Sequence, residues 1–200
     1  MEIETILALA LGVSLSAACG FRVFVPPLVL SISALYGDLH LAPEFAWVGT
    51  YPALLVLTAA TIVEILAYFI PVVDNFLDVL EVPLAIVVGT LVTAATLEDV
   101  EPVIKWSIAA IAGGGSAGLI DLATTLTRLV TTGVTGGLGN MAVATTEILS
   151  AIVLCLLALL VPFLSAFLVI MLLGLALNQI FVYIKKIRKR KSSKDYHHSG

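Results

Sequence analysis

Six stretches of the chain are almost free of charged side chains: residues 3–35, 48–73, 82–97, 104–132, 141–161 and 163–184. Polar punctuation separates them. Gly37-Asp38 to Glu44, Asp74 to Glu81, Glu98 to Glu101 and the glycines of 133–139 fill four of the gaps, and Pro162 alone marks the fifth. A bilayer core about 30 Å thick takes about 20 mainly apolar helical residues to cross. The pattern predicts an all-α, polytopic membrane protein of six transmembrane segments, with a very tight connection at Pro162.

Runs one and four do not fit a plain crossing. Thirty-three residues of unbroken helix, as in 3–35, would measure about 50 Å at 1.5 Å per residue. Proline lacks an amide donor and clashes with the preceding turn. The first run is therefore expected to break at Pro26-Pro27, close after Gly20. The fourth has a comparable weak point at Gly113, Gly114 and Gly115, followed by Asp121 and Arg128. Backbone groups freed by such breaks are tolerated in a membrane only inside protein or beside a wet cavity. Two interrupted helices thus predict a protein-enclosed midplane site.

The halves of the chain echo one another. Ala60-Thr-Ile-Val-Glu64-Ile-Leu66 resembles Ala144-Thr-Thr-Glu147-Ile-Leu149 with one residue deleted. Each acid lies in an apolar run that follows an interrupted one. Three segments per half would place the halves in opposite orientations, the 3+3 inverted-repeat plan of many transporters. Residues 1–184 are read as one transmembrane domain with repeats at 1–100 and 101–184.

Composition agrees with the pattern. The chain is 60% hydrophobic and 12% charged, against about 45–50% and 25% in soluble domains. The net charge of -4 hides an asymmetry: seven of the ten Lys and Arg lie in 185–200, where Asp195 is the one acid. This basic tail after the last run predicts a cytoplasmic C-terminus. Six crossings then put the N-terminus inside as well, in a cytoplasmic (inner) membrane. Glu2 and Glu4 stand where a signal peptide needs positive charge, so no leader is expected. Cys19 and Cys155 read as small buried residues rather than a disulfide framework.

Ionisable groups inside apolar runs are costly, about 2.5–3.5 kcal/mol at a helix centre, and usually face the bundle interior or water. Arg22, Glu64, Asp121 and Glu147 are the main candidates. Arg22 offers five donors and a permanent charge, either to an anionic solute or to an acid in the core. Glu64 and Glu147 are candidate proton carriers, cation ligands or hydrogen-bonding groups. Arg128 lies nearer the end of its run, where its side chain can reach the interface. Asp74, Asn75 and Asp78 form a polar cluster that reads as a helix cap or loop and undershoots the ligand set of a divalent cation. Gly12, Ser16 and Gly20 make a small-residue face suited to close helix packing. No phosphate loop, zinc motif or Ser/His/Asp constellation is found, and His40 is the one histidine before His197-His198 in the tail. An enzyme, a bound metal or cofactor, and nucleic-acid binding are therefore not expected. The lipid bilayer, a small anion, proton or cation, and further copies of the chain are the expected partners.

The ordered set Cys19-Gly-Phe-Arg22-Val-Phe-Val-Pro26, Glu64, Ile70-Pro71-x-Val73-Asp74-x-x-x-Asp78, the glycine-rich fourth run, and Asn140 with Glu147 ahead of Pro162 resembles a bacterial membrane family known as domain of unknown function 4126. The resemblance covers nearly the whole chain. Tyr68-Phe69 stands where the family pattern implies an acidic–basic pair, and Thr146-Glu147 where it implies two acids. The resemblance implies a fold and no activity. From the residues themselves, a small transporter or channel is the leading expectation, and a non-transporting scaffold whose buried charges serve packing is the alternative.

Overall fold

The computed structural model describes the backbone of residues 2–37, 39–67, 71–135 and 139–197, with side chains for all of these except 2, 71–79 and 188–197. Among them every regular element is helical: α1 (Glu2–Cys19), α2 (Val25–Tyr36), a short 3-10 helix (Pro43–Gly49), α3 (Tyr51–Ala67), α4 (Pro71–Thr96), α5 (Pro102–Ile108), a π-helical stretch (Ala109–Gly114), α6 (Gly115–Thr135), α7 (Asn140–Leu160) and α8 (Pro162–His197). Helix α1 is the axis of the bundle, packed by α2, α4, α6, α7 and α8. Its residues from Leu15 to Cys19 are almost wholly buried. Large apolar side chains instead cover the outside, as on α7 and α8, where Leu160, Ile170 and Phe181 are exposed. An apolar exterior around a core of small residues marks a membrane protein.

The first run does break, but not at the prolines. Helix α1 ends at Cys19, residues 20–24 are irregular, and Pro26 and Pro27 fall in the first turn of α2. That placement has a simple cause. The first amides of a helix have no partner within it, so a missing N–H is harmless there and the fixed φ favours the start. The break lies instead where Gly20 meets α6. A Cβ at Gly20 would strike the Ala117 carbonyl and lie 2.8 Å from Ile120 Cβ.

The expected break in the fourth run is corrected. Residues 102–135 form one continuous helix, widened into a π-helical turn at Ala109–Gly114. The glycines serve packing. A Cβ at Gly113 would lie 2.7 Å from Thr93 Cβ and 2.9 Å from the Gly89 carbonyl. Backbone thus meets backbone where this helix crosses α4. The Gly113 carbonyl accepts the hydroxyls of Ser16 at 2.7 Å and Ser116 at 2.8 Å, tying α1 into the same contact. Gly115 faces open space.

Two other boundaries differ from expectation. The polar stretch 74–81 is not a loop, because α4 begins at Pro71 and carries it. Helix α8 runs on to His197, so the basic segment continues the last helix. The side chains of Asp74, Asn75 and Asp78, and those of the tail from Arg188 onward, lie outside the described residues. The tight turn before Pro162 is as expected, with only Val161 between α7 and α8.

Among the described residues, three helices are long and apolar enough to cross a membrane: 102–135, 140–160 and 162–187. A fourth arises if the 3-10 helix and α3, bent by 69° from each other, count as one span. The apolar parts of α1, α2 and α4 are shorter.

Candidate functional site

The irregular residues 20–24 carry the only arginine of the first run, and its side chain is fully buried. Arg22 Nη2 donates to Glu147 Oε2 at 3.0 Å and to the Ala144 carbonyl at 3.2 Å, one turn earlier on α7. Arg128 of α6 also grips Glu147: Nε donates to Oε1 at 3.0 Å and Nη2 to Oε2. One carboxylate therefore receives two guanidiniums from separate elements. Arg128 Nη1 lies 4.0 Å from Glu81 Oε2 on α4. The expectation that Arg128 reaches out to the interface is thus corrected. Its side chain is 3% exposed because Glu147 holds it inward.

Glu64 does different work. The amide of Arg22 still bonds to the Ala18 carbonyl at 3.1 Å, but the next two amides leave the helical pattern. Val23 N donates to Glu64 Oε1 at 2.6 Å and Phe24 N to Oε2 at 3.1 Å. In a continuous helix these amides would bond to carbonyls four residues earlier. The α3 carboxylate replaces both acceptors at the break. Thr61, one turn earlier on α3, lies with its hydroxyl 3.2 Å from the Phe24 carbonyl. The break is therefore closed by side chains and leaves no amide facing lipid at these two positions.

The remaining candidates divide. Asp121 is buried on α6 beside the break, its amide 3.0 Å from where a Gly20 Cβ would be. Asn140 opens α7 and accepts the Thr132 hydroxyl at 3.1 Å on an exposed surface, away from the cluster. Sequence reasoning missed Glu81 and Lys105, both buried. Glu81, Ala85 and Gly89 form a buried stripe at fourfold spacing, and so do Lys105, Ala109 and Gly113. That helical period was the available signal.

Lys105 belongs to the opposite end of the bundle. Its Nζ lies 2.8 Å from Glu44 Oε1 in the 3-10 helix. This short helix bends away from α3 and packs on the bundle end, where the Ala42 amide reaches the Ala95 carbonyl at 2.9 Å and Ser31 reaches the Val48 carbonyl at 2.6 Å. The hydrogen bond from Lys105 holds the exposed Glu44 carboxyl below the usual carboxylate range.

Two cavities bear on chemistry. One of about 360 Å³ lies between α3 and α4 and has Glu64, Glu81 and Phe24 in its wall. Another of about 560 Å³ lies at the opposite end, bordered by Glu4, His40, Glu98 and Asp99. Among the described residues no three His, Cys, Asp or Glu side chains are grouped to hold a metal ion. Cys19 and Cys155 are buried and not disulfide-bonded.

Residues 9–181 match the model of the family described as Domain of unknown function (DUF4126), and the chain belongs to that family. No curated protein and no solved structure matches it.

Proposed function

We propose that this DUF4126 protein moves protons or a small cation across the membrane through the break in its first segment. One observation carries the reading. Three buried carboxylates, Glu64, Glu81 and Glu147, come together with two buried arginines, Arg22 and Arg128, at the break after α1. Ionised carboxylates are costly in an apolar interior, so acids set close together there take up protons or draw cations near. A site that exchanges one for the other is the working part of a cation-linked transporter or channel. Arg22 is occupied with Glu147, which favours cations over the anionic solute that an isolated arginine would attract.

The reading brings a topology with it. Six crossings result if α1–α2, α3, α4, α5–α6, α7 and α8 each count once, and the order of elements is then the same in both halves. An inverted repeat would bring the Glu64 and Glu147 segments to related positions about the break. Both termini would be cytoplasmic, as the basic segment from Lys185 favours.

A scaffold role is the second reading, favoured by the structural duties of two acids: Glu147 clamps two arginines and Glu64 closes a helix break. Flux through purified protein in liposomes separates the two. Under an imposed membrane potential, a pH-sensitive dye should report proton movement, and parallel vesicles should report uptake of monovalent cations. Glu81→Gln, which leaves the break amides and the Glu147 carboxylate in place and removes only the acid beside Arg128 Nη1, should reduce the flux at least about tenfold. No flux of protons or cations from well-folded wild-type protein would overturn the transport reading.

A further inference from the structure

We propose that the groove between the ends of α6 and α8 seats an anionic phospholipid, its phosphate on Lys186 and an acyl chain along Val130 and Val134. The groove measures about 390 Å³, within the range of small-molecule sites, about 300–1,000 Å³. Val130, Gly133 and Val134 of α6 form one wall, and Tyr183, Lys186 and Ile187 of α8 the other. Its position follows from its neighbours. One turn earlier Gln179 Nε2 donates to the Thr127 hydroxyl at 2.8 Å and to the Ala123 carbonyl at 3.3 Å, pinning α8 to α6. Beyond that pin α6 offers Gly133, where an added Cβ would meet nothing within 4 Å, and the helix ends at Thr135.

The charge is aimed into this groove. Leu172, Ala176, Gln179, Tyr183 and Lys186 recur at three- and four-residue spacing, so they share the face of α8 that packs on α6. Lys185, one position earlier, is turned about 100° aside and does not line the groove. Among the described residues no acid pairs with Lys186. The groove also lies at the end of the apolar span 162–187, the level at which tyrosine and lysine meet the membrane surface. Val130 and Val134 are exposed below them. Toward the bilayer centre the same seam continues as a hollow of about 140 Å³ with Leu172 and Leu175 in its wall, a path for an acyl chain. Apolar walls under an ammonium and a phenol match a phospholipid, whose phosphate accepts hydrogen bonds from both.

Other occupants fit less well. A soluble phosphate would use the rim and leave the walls bare. A neutral lipid would cover the walls and leave the ammonium without an anion. A zwitterionic lipid would bring its own cation to a segment where Lys185, Lys186, Arg188, Lys189, Arg190 and Lys191 fill six of seven positions. The sequence keeps these surroundings positive. After Lys186 no acid occurs until Asp195, about 13 Å further along a helix, and residues 136–138 beyond α6 are Gly, Gly and Leu. Helix α4, which carries Asp74 and Asp78, packs on the face of α6 that holds Gly114, Gly118 and Arg128. Val130 and Val134 follow Arg128 by two and six residues, which turns them to the far side of α6 at about 100° per residue. The site stands apart from the carboxylates at the break and does not require transport.

The test is native mass spectrometry of the full-length protein in detergent, titrated with dioleoylphosphatidylglycerol or with dioleoylphosphatidylcholine, which has the same tails. The first phosphatidylglycerol should bind at least about tenfold tighter than the first phosphatidylcholine. Lys186→Gln should weaken it about fivefold. Lys185→Gln removes the same charge from outside the groove and should weaken it less than about twofold. Gly133→Phe fills the groove without touching a charge and should remove the preference. Equal binding of the two lipids, or a preference undiminished by Gly133→Phe, would overturn the proposal. Equal losses for the two lysine variants would overturn it as well, showing that the basic segment attracts anionic lipid without seating it. So would competition by glycerol phosphate as strong as that by the lipid, which would point to a soluble phosphate. A dimer that Gly133→Phe dissociates would overturn it in favour of a second copy in the groove. If Gly133→Phe does not fold, the two lipids and the two lysine variants still decide.

Discussion

Arg22 Nη2 lies 3.0 Å from Glu147 Oε2, and the two residues are 125 positions apart in the chain. The contact joins the break after α1 to α7, and Arg128 converges on the same carboxylate from α6. Removing one partner of a buried ion pair costs about 3–5 kcal/mol, because a charge stays behind in the interior. Glu147→Gln removes the anion that two arginines share, whereas Arg22→Met leaves Glu147 with Arg128. The glutamine variant should therefore be the more destabilised, by about 3–5 kcal/mol in chemical denaturation in detergent. Equal losses, or a larger loss for Arg22→Met, would mean that Glu147 is not the hub.

Glu64 accepts the amides of Val23 and Phe24. Each buried amide left without an acceptor costs about 1–3 kcal/mol. Glu64→Ala should destabilise the protein by about 2–6 kcal/mol. Glu64→Gln should fall between, since one amide oxygen replaces two carboxylate oxygens. Hydrogen exchange gives the specific readout: protection at residues 23 and 24 should drop in both variants, while that of the α7 amides should hold. Unchanged exchange at 23 and 24 would show that the carboxylate does not close the break.

The break was legible because a mainly apolar run of 33 residues is too long for one crossing. Its position was not. Pro26 and Pro27 disrupt the middle of a helix but suit its beginning, and one sequence cannot say which side of a proline the chain leaves. Gly113 to Gly115 posed the same ambiguity, since glycine both weakens a helix and lets another backbone approach. The partner decided it, because Gly89 and Thr93 on the preceding helix α4 are what Gly113 meets. Glu81 was hidden by its neighbours: the acids at 74, 78 and 81 read as a polar gap, although its spacing to Ala85 and Gly89 marks a buried helical face. Arg22, Glu64, Asp121 and Glu147 were found because charge inside oil stands out. Their pairing required the fold.

The glycines of the fourth run supply a prediction with opposite signs at neighbouring positions. Alanine ordinarily stabilises a helix relative to glycine by about 0.8–1.0 kcal/mol. At Gly115 an added Cβ would meet nothing within 4 Å, so Gly115→Ala should be neutral or stabilising by that amount. At Gly113 the new methyl would meet the Thr93 side chain and the Gly89 carbonyl. Overpacking of this kind costs about 1–3 kcal/mol, so Gly113→Ala should lower the melting temperature in the same detergent. Stabilisation at both positions would argue that α4 and the π-helical turn are not in backbone contact.

The ion pair at the other end of the bundle gives a pH dependence. Lys105 holds the Glu44 carboxyl below its usual range, so the folded protein binds that proton less readily than the unfolded chain. The resulting stability is present above the unfolded carboxyl value, about pH 4.3, and is lost as pH falls through the lower folded value. Other carboxylates titrate in the same window, so the measurement is a difference. Thermal melts of wild type and Glu44→Gln between pH 7 and 3 should differ most at neutral pH and converge in acid. The lysine adds an asymmetry: its side chain is 6% exposed and that of Glu44 47%. Glu44→Gln leaves a buried ammonium behind, while Lys105→Met leaves a carboxylate free to turn to water. Lys105→Met should therefore be the milder change at neutral pH, and in acid, where protonated Glu44 no longer pairs the buried ammonium of wild type, it should be at least as stable as wild type. A gap between wild type and Glu44→Gln that persists unchanged at pH 3 would show that the pair does not hold the 3-10 helix to the bundle.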